Sequence, residues 1–207
     1  MNIFELLFLA AVITTLVVVP AAFLQMIRER QGAKRVVLGV VSFWVLYLGV
    51  VIVVSALRPQ RRIPFGQERC FDDMCFTVAH VETFGRLGVP SEPLPAKGVF
   101  YIVTIRVENR GRGRAQSEEG IRALLLDDGK QYRTSPEGQR AWEKTRSNSA
   151  LTTQLAAGGS VVSAQVFDVP PTATSPELLL THGFTPGYFV IGESPIVREP
   201  AIQLLSR

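Results

Sequence analysis

Residues 98–109, which read GVFYIVTIRVEN, are the stretch of sequence that decides the fold class. Alternate residues from Val99 to Val107 are apolar, whereas Thr104, Arg106 and Glu108 lie between them and are polar. This period of two is typical of an antiparallel strand with one face in a core and the other in water. The glycine-rich stretch NRGRGR at residues 109–114 predicts that the strand ends in a loop.

Further strand candidates occur at short intervals around this stretch, separated by Gly, Pro and Asp clusters. About seven short strands at this spacing are typical of a β-sandwich. Ser135, Pro136 and Glu137 have the residue types that begin a helix, so we expect one short helix there, with Trp142 against an edge of the sandwich. The strand candidates are residues 75–84, 100–109, 122–126, 131–133, 160–169, 178–181, 188–191 and 202–205.

Two apolar segments precede the strands, and neither residues 6–24 nor residues 36–57 contain a charge. A helix needs about 20 apolar residues to cross a bilayer core, so we predict membrane spans over residues 4–27 and 36–57. The alternative for the first segment is a cleaved signal peptide, which requires a basic start, and the chain begins MNIFE. The alternative for the second is a buried core helix, which requires a polar face that SFWVLYLGVVIVVS lacks.

The predicted spans also carry residues that suit contact between helices. Trp44 and Tyr47 fall near the middle of the second span, so they are expected to pack there rather than to anchor at the bilayer surface. Small residues let membrane helices approach closely. The small residues expected to do so are Ala11, Thr15, Gly39, Ser42 and Gly49.

The net charge of +4 is concentrated beside the predicted spans. Residues 63–207 contain 15 basic and 16 acidic residues and are nearly neutral. This distribution indicates contact with lipid headgroups rather than with nucleic acid. The juxtamembrane basic residues are Arg28, Arg30, Lys34, Arg35, Arg58, Arg61 and Arg62.

Orientation follows from the same charges, because basic residues near span ends favour the cytoplasm. Four lie between the spans and three follow the second span, so the connecting loop is predicted inside and residues 58–207 outside. The predicted organisation is a transmembrane hairpin over residues 1–57, a juxtamembrane linker over 58–69 and an extracytoplasmic sandwich over 70–207. The predicted location is the cytoplasmic membrane.

Cys70 and Cys75 are the only two cysteines in the 207 residues. Four residues separate them, with Asp72 and Asp73 where the tip of a tight turn would lie. Outside the cytosol this spacing predicts a disulfide across a short hairpin. Two alternatives are a zinc site, for which His80 and His182 would have to help, and a redox-active pair, which is more often spaced C-x-x-C.

The outer domain resembles a bacterial family of extracytoplasmic proteins whose function is unknown and whose fold is similar to the immunoprotective extracellular antigen. The resemblance rests on the strand at residues 100–109, on LLLDDGKQY at 124–132, and on LAAGG at 155–159 followed by VFDVP at 166–170. It implies an immunoglobulin-like antiparallel sandwich over roughly residues 70–205. It implies no catalytic residue, and the single lipid anchor common in that family is not carried over to a chain with two predicted spans.

No motif for catalysis is present, because the sequence lacks G-x-S-x-G, H-E-x-x-H, a P-loop and a Rossmann fingerprint. We therefore predict a non-enzymatic protein without cofactor or bound metal, whose partners are the lipid bilayer and a protein or polymer of the envelope. An accessory subunit of a larger membrane complex is the alternative, and an envelope hydrolase or thiol-redox enzyme using Cys70, Cys75 or His80 is a third hypothesis. The residues predicted to contact an anion or headgroup are Arg110, Arg112 and Arg114.

Overall fold

The computed structural model of the protein describes residues 3–28, 30–57, 59–173, 175–182 and 199–204. The chain divides into two compact units. One unit contains helices α1 (Ile3–Arg28) and α2 (Arg30–Leu57), and the other contains a third helix, α3 (Pro136–Glu143), and the described strands. The predicted strand at residues 188–191 lies outside the described residues.

Nine strands are described, and they form two sheets. The sheets have the orders β1-β9-β8-β5-β6 and β2-β3-β4-β7. Neighbouring strands are antiparallel except β1 and β9, which are parallel, so the prediction of an entirely antiparallel sandwich is wrong at this pair. The strands are β1 (Arg62–Ile63), β2 (Glu68–Phe71), β3 (Met74–Leu87), β4 (Leu94–Asn109), β5 (Ile121–Asp127), β6 (Lys130–Arg133), β7 (Ser160–Val169), β8 (Glu177–His182) and β9 (Ala201–Gln203).

The main core lies between the two sheets, as expected for a sandwich. It contains the inward side chains Val103, Ile105 and Val107 of β4, which the alternating pattern placed on the core face. The five-stranded sheet contributes Leu125 and Leu178 among others. The β unit is therefore a mainly-β, two-sheet sandwich, as predicted.

A second, smaller core covers the other face of the four-stranded sheet. Trp142 and Ala141 of α3 pack there against Phe100 and Ile102 of β4 and Val166 of β7. The middle of β4, residues 100–103, is therefore buried on both faces, because α3 covers the face that the pattern alone would leave to water. Trp142 lies on this sheet face rather than at the predicted edge.

Helix α3 begins as the sequence predicts and covers the free edge of β7. The Ser135 hydroxyl accepts a hydrogen bond from the Gly138 amide, and Pro136 follows at the first helical position.

Side chains of α3 and of the segment after it bond to the backbone at the free edge of β7. Asn148 accepts from the Ala164 amide at 2.7 Å, and Gln139 accepts from the Val166 amide at 3.1 Å. The Ala164 carbonyl in turn accepts from both side-chain amides, and the Val166 carbonyl accepts from the Ser135 amide. We call Ser135, Gln139 and Asn148 the edge network.

Strand β1 and the first two residues of β2 lie within residues 58–69, which we predicted as a linker. Strand β1 pairs Arg62 with Ala201 and Ile63 with Ile202, and β2 begins at Glu68. The sandwich is therefore longer at its start than predicted. The reason is that a two-residue strand followed by Pro64 is too short to show an alternating pattern.

The helical unit presents apolar side chains outward along both of its helices. Seven on α1 are 44–69% exposed and ten on α2 are 43–78% exposed. By length and composition, one helix among the described residues could span a membrane, Lys34–Leu57, and a shorter apolar helical segment covers Phe8–Ala21. One spanning helix is thus supported by this criterion, and the first predicted span is not.

Aromatic and polar side chains join α1 to α2. Trp44 donates from its indole nitrogen to the Thr15 hydroxyl at 3.0 Å, and Thr15 donates to the Ala11 carbonyl. The Phe8 ring contacts both Trp44 and Tyr47. The packing role predicted for Trp44 and Tyr47 is confirmed.

The small residues of α2 do not take part in this contact. Gly39, Ser42 and Gly49 are exposed, and a Cβ atom added to either glycine would meet no atom within 4 Å. The prediction that they line the approach of the two helices is wrong, because the bulky aromatic side chains occupy the seam.

The juxtamembrane basic residues are partly described. Lys34, Arg35, Arg61 and Arg62 are exposed, whereas the side chains of the other three, Arg28, Arg30 and Arg58, lie outside the described residues. Arg62 forms an ion pair with Glu177 at 2.8 Å. That guanidinium therefore has a carboxylate partner within the sandwich.

Candidate functional site at the disulfide end

The disulfide predicted between Cys70 and Cys75 is present. The two cysteines are register partners in the β2–β3 hairpin, with Asp72 and Asp73 at its tip. Asp72 has φ +49°, the left-handed conformation that Asp tolerates better than most residues. Cys70 is exposed and Cys75 is buried. A bond that closes so short a loop restrains the unfolded chain by about 2 kcal/mol in the loop-entropy account.

The NRGRGR loop contacts this hairpin directly. The Arg110 amide donates to the Asp73 carbonyl at 2.8 Å, and the Gln116 side chain donates to the Asp73 carboxylate at 3.1 Å. Gly111 is buried at this contact, and a Cβ atom there would lie 2.8 Å from the same carboxylate. The glycine is needed because loop and hairpin approach too closely for a side chain.

Asn109 fixes the base of the loop. Its side chain is 1% exposed and donates to the carbonyls of Leu155 and Arg114 while accepting from the Gly111 amide. Its backbone groups bond to Gly158 and Gly159. One buried amide thus joins β4, the basic loop and the segment before β7, and we call residues 68–75, 109–118 and 182 the disulfide end.

The three predicted anion-contact residues are not equivalent. Both terminal nitrogens of the Arg110 guanidinium contact the Glu68 carboxylate. One of them also lies 3.5 Å from the Glu108 carboxylate. Arg112 and Arg114 are exposed, and neither guanidinium forms an ion pair or a hydrogen bond with a described residue. Two of the three guanidiniums are therefore available to a ligand.

A half-buried histidine lies at the same end. His182 Nε2 is 2.7 Å from a Glu118 carboxylate oxygen, and these side chains are only 22% and 17% exposed. The ring of Phe71, one residue from Cys70, stacks on the His182 ring with 5.1 Å between centroids. Arg69 covers the Phe71 ring at 4.6 Å. These contacts connect the disulfide hairpin to the end of β8.

The other candidate groups lie in ordinary surroundings. His80 is 64% exposed, 3.7 Å from Glu82. A Glu68 oxygen and the two cysteine sulfurs lie within 4.8 Å of one another. Metal binding by cysteine requires thiolates, and both sulfurs are held in the disulfide, so this donor set does not fit a metal.

Sequence reasoning missed the partners of Arg110 and His182. Glu68 lies 42 residues from Arg110, and Glu118 lies still further from His182 along the chain. The alternating pattern assigns residues to a face, but it does not say which residues of neighbouring strands and loops meet. Only the strand register could have indicated these pairs.

A family model described as a domain of unknown function, DUF4352, matches residues 63–188, which is more than half of the chain. No curated protein matches the sequence. The similar solved structures include a conserved hypothetical protein from Bacillus anthracis (TM-score 0.49, 13% identity, 58% of this chain and 91% of that one). They also include the yjhA protein from Bacillus subtilis (TM-score 0.44, 16% identity, 69% of this chain and 98% of that one). A third is an uncharacterized β-sandwich protein from Clostridium difficile 630 (TM-score 0.45, 11% identity, 72% of this chain and 96% of that one).

Proposed function

The chain belongs to the DUF4352 family, and from that premise we propose that it is a membrane-anchored protein whose sandwich binds a component of the bacterial cell envelope. In this proposal α1 and α2 both cross the cytoplasmic membrane. The immunoglobulin-like sandwich lies outside the cytoplasm and catalyses no reaction. The likeness to the immunoprotective extracellular antigen, carried by the strand motifs, is part of the same proposal.

The exposed apolar side chains of the helical unit are the observation that carries the proposal. Soluble proteins rarely expose contiguous apolar patches of more than a few hundred Å². Here Leu16, Leu38 and Leu46 are each at least 67% exposed, and they belong to a set of 17 such side chains. Lipid tails are the solvent that suits a surface of this kind.

The contact between the helices supports two spans rather than one. Phe8 and Thr15 of α1 contact Trp44 of α2. The Trp44–Thr15 hydrogen bond satisfies the indole N–H of Trp44, which hydrocarbon would leave without a partner. A first helix bonded in this way to the spanning helix is expected to share its environment.

The disulfide supports the placement outside the cytoplasm, because cytosolic thiols are kept reduced. The charges beside the predicted spans agree with it, since four basic residues lie between the two predicted spans and three follow the second. A binding role rather than a catalytic one is supported by the contacts of the cysteine and histidine side chains. Both cysteines are bonded to each other, and His182 is held between Phe71 and Glu118.

Cleavage sites for a specific protease test this topology. One site is inserted at residues 32–33, in the first turn of α2 and between the two predicted spans. Another is inserted at residues 59–60 before the sandwich, and a third variant carries an N-terminal epitope behind such a site. Protease is added to spheroplasts and to inverted membrane vesicles. We expect the site at 59–60 and the N-terminal site to be cut only in spheroplasts, and the site at 32–33 only in inverted vesicles.

Other outcomes of this experiment are equally distinct. Cleavage of the N-terminal site only in inverted vesicles would show that α2 alone spans the membrane. Cleavage at 59–60 only in inverted vesicles would place the sandwich in the cytoplasm and contradict the proposal. A chain without inserted sites is the control for cleavage elsewhere.

An accessory subunit of a larger membrane complex is a second candidate, favoured by the exposed small residues of α2. Gly39 and Gly49 face away from α1 and leave space at the helix surface, and small residues let membrane helices approach. The chain is extracted in mild detergent and its mass is measured. Co-migration with another protein that is lost in Gly39→Leu/Gly49→Leu would favour this role, and migration alone would contradict it.

A further inference from the structure

Hydrogen bonds hold the base of the NRGRGR loop, whereas its tip is open to solvent. Asn109 and Asp73 hold its two ends through the hydrogen bonds described above. Between them Gly113 has φ +87°, a backbone conformation that L side chains rarely adopt, and a Cβ atom there would meet nothing within 4 Å. The loop therefore presents residues 112–114 to solvent from a fixed base.

Unused hydrogen-bond donors are concentrated at this tip. Arg112 and Arg114 have no carboxylate partner among the described residues, whereas Arg110 is neutralised by Glu68 and Glu108. The backbone amides of Arg112, Gly113 and Arg114 have no acceptor in the described part of the chain. Successive free amides in a turn that includes a left-handed residue form an anion-binding concavity, and here an arginine flanks it on each side.

We propose that Arg112, Gly113 and Arg114 bind a single phosphodiester group of an anionic envelope polymer, an inference that rests on the proposed function and names its ligand class. A phosphodiester has one negative charge shared by two non-bridging oxygens. A guanidinium fork matches these oxygens in geometry as well as charge. The two side chains contact the phosphate from both sides, and the loop amides complete its hydrogen bonds.

The surroundings favour a polymer chain over the bilayer surface. Asp72 and Asp73 are exposed on the hairpin that touches the loop. A flat anionic membrane would meet these carboxylates together with the arginines, whereas a narrow chain contacts the loop tip alone. The NRGRGR stretch contains no aromatic residue on which a base could stack, so single-stranded nucleic acid is disfavoured.

The probe is a fluorescent glycerol-phosphate oligomer, and the protein is the full chain in nanodiscs of zwitterionic lipid. Anisotropy titrations give the dissociation constant, and we expect saturable binding that weakens as salt screens the charges. Replacing each arginine with glutamine removes one charge-assisted contact, and we expect about a tenfold loss for each. The double variant Arg112→Gln/Arg114→Gln is therefore expected to bind about a hundredfold more weakly.

Two further variants separate the site from general charge. Lys130→Gln/Arg133→Gln removes the same charge from exposed positions on β6 of the other sheet, and it is expected to bind like the wild type. Gly113→Ala keeps both guanidiniums but disfavours the left-handed backbone, and it is expected to bind several-fold more weakly if the amides take part. Circular dichroism confirms that each variant remains folded.

Several results would overturn the assignment. These are no binding of the oligomer, equal loss in the two double variants, equal binding of polyglutamate of the same charge, or tighter binding of single-stranded DNA. Arginine-dependent binding to phosphatidylglycerol vesicles without binding of the oligomer would assign the loop to the bilayer instead. If the oligomer does not bind but the protease experiment places the sandwich outside the cytoplasm, only the phosphodiester inference is contradicted. If the protease experiment places the sandwich in the cytoplasm, the proposed function is contradicted.

Discussion

Glu143 accepts hydrogen bonds from the side-chain amides of Gln139 and Asn148, and these bonds lower the pKa of its carboxyl group. A depressed pKa in the folded protein stabilises it above the ordinary range of the group, and this stabilisation is lost as the pH falls through the lowered value. We predict that Gln139→Ala raises the pKa of Glu143 toward its ordinary value. The measurement is a carbon-detected NMR titration of the Glu143 carboxyl resonance.

Glu92 is the internal control for this titration. Its pKa is lowered by a hydrogen bond and charge interaction with Lys144 and does not depend on Gln139. It should therefore titrate at the same pH in wild type and variant. An unchanged Glu143 titration would mean that the amide contact is not formed in solution.

Single residues differ in how far the sequence reveals their contacts. The Cys70–Cys75 bond and the Ser135 cap are local, and both were predicted from a few neighbouring residues. The pairing of His182 with Glu118 and of Arg110 with Glu68 depends on the register of distant strands and loops. A charge or an imidazole alone does not determine its partner, which is why all three loop arginines were assigned the same role.

The close approach of β4 and β7 requires a glycine at position 98. A Cβ atom there would overlap the carbonyl oxygen of Val169, a backbone atom that cannot move away without shifting the strand. We predict that Gly98→Ala destabilises the sandwich by about 2 kcal/mol or more, within the range of overpacking in cores. Gly85→Ala is the matched control, because a Cβ atom at Gly85 meets no atom within 4 Å.

Urea unfolding of the full chain in detergent measures the difference. Trp142 fluorescence reports on the sandwich when Trp44, the only other tryptophan, is replaced with phenylalanine in every variant compared. Equal unfolding midpoints for the Gly98 and Gly85 variants would contradict the close approach.

The edge network protects β7 from pairing with other strands. Gln139 and Asn148 bond to the backbone of Ala164 and Val166, where a further strand would otherwise pair. Unprotected edges promote association between chains. We therefore predict that Gln139→Ala/Asn148→Ala self-associates, which light scattering of the full chain in detergent would detect as an increased mass.

Two comparisons make this prediction specific. Gln131→Ala/Gln154→Ala removes two exposed amides elsewhere and should not change the mass. Val162 is 51% exposed on the same strand, so adding Val162→Lys to the edge variant should reduce the association, since charged edges resist pairing. An edge variant that keeps the wild-type mass would show that the network does not guard the edge.

Helices and strands were predictable where they were long and had a regular pattern of apolar residues. The strands now described as β3 to β9 were all anticipated, together with α3. Strand β1 was missed because a two-residue strand is too short to show an alternating pattern. Strand β2 was anticipated only as one arm of the disulfide hairpin, and its first two residues were assigned to the linker. The covered outer face of β4 could not be inferred, because burial there depends on α3, which lies about 30 residues further along the chain.

At the scale of the whole molecule, composition indicated the division between an apolar helical segment and a nearly neutral β domain. The two compact units agree with that division, and the family match covers most of the β unit. Among the residues that the structure describes, one helix satisfies the length and composition of a membrane span. The second span and the side of the membrane do not follow from fold alone, because helix packing and sandwich structure are compatible with either orientation.

Thiol labelling of Cys70 and Cys75 in intact cells tests the central claim, that a disulfide-containing sandwich lies outside the cytoplasm. A membrane-impermeant maleimide is added with or without an impermeant reductant, and Cys70→Ser/Cys75→Ser is the unlabelled control. We predict labelling of intact cells only after reduction. Labelling that requires lysis and no reductant would show reduced cysteines inside the cell and would contradict the account.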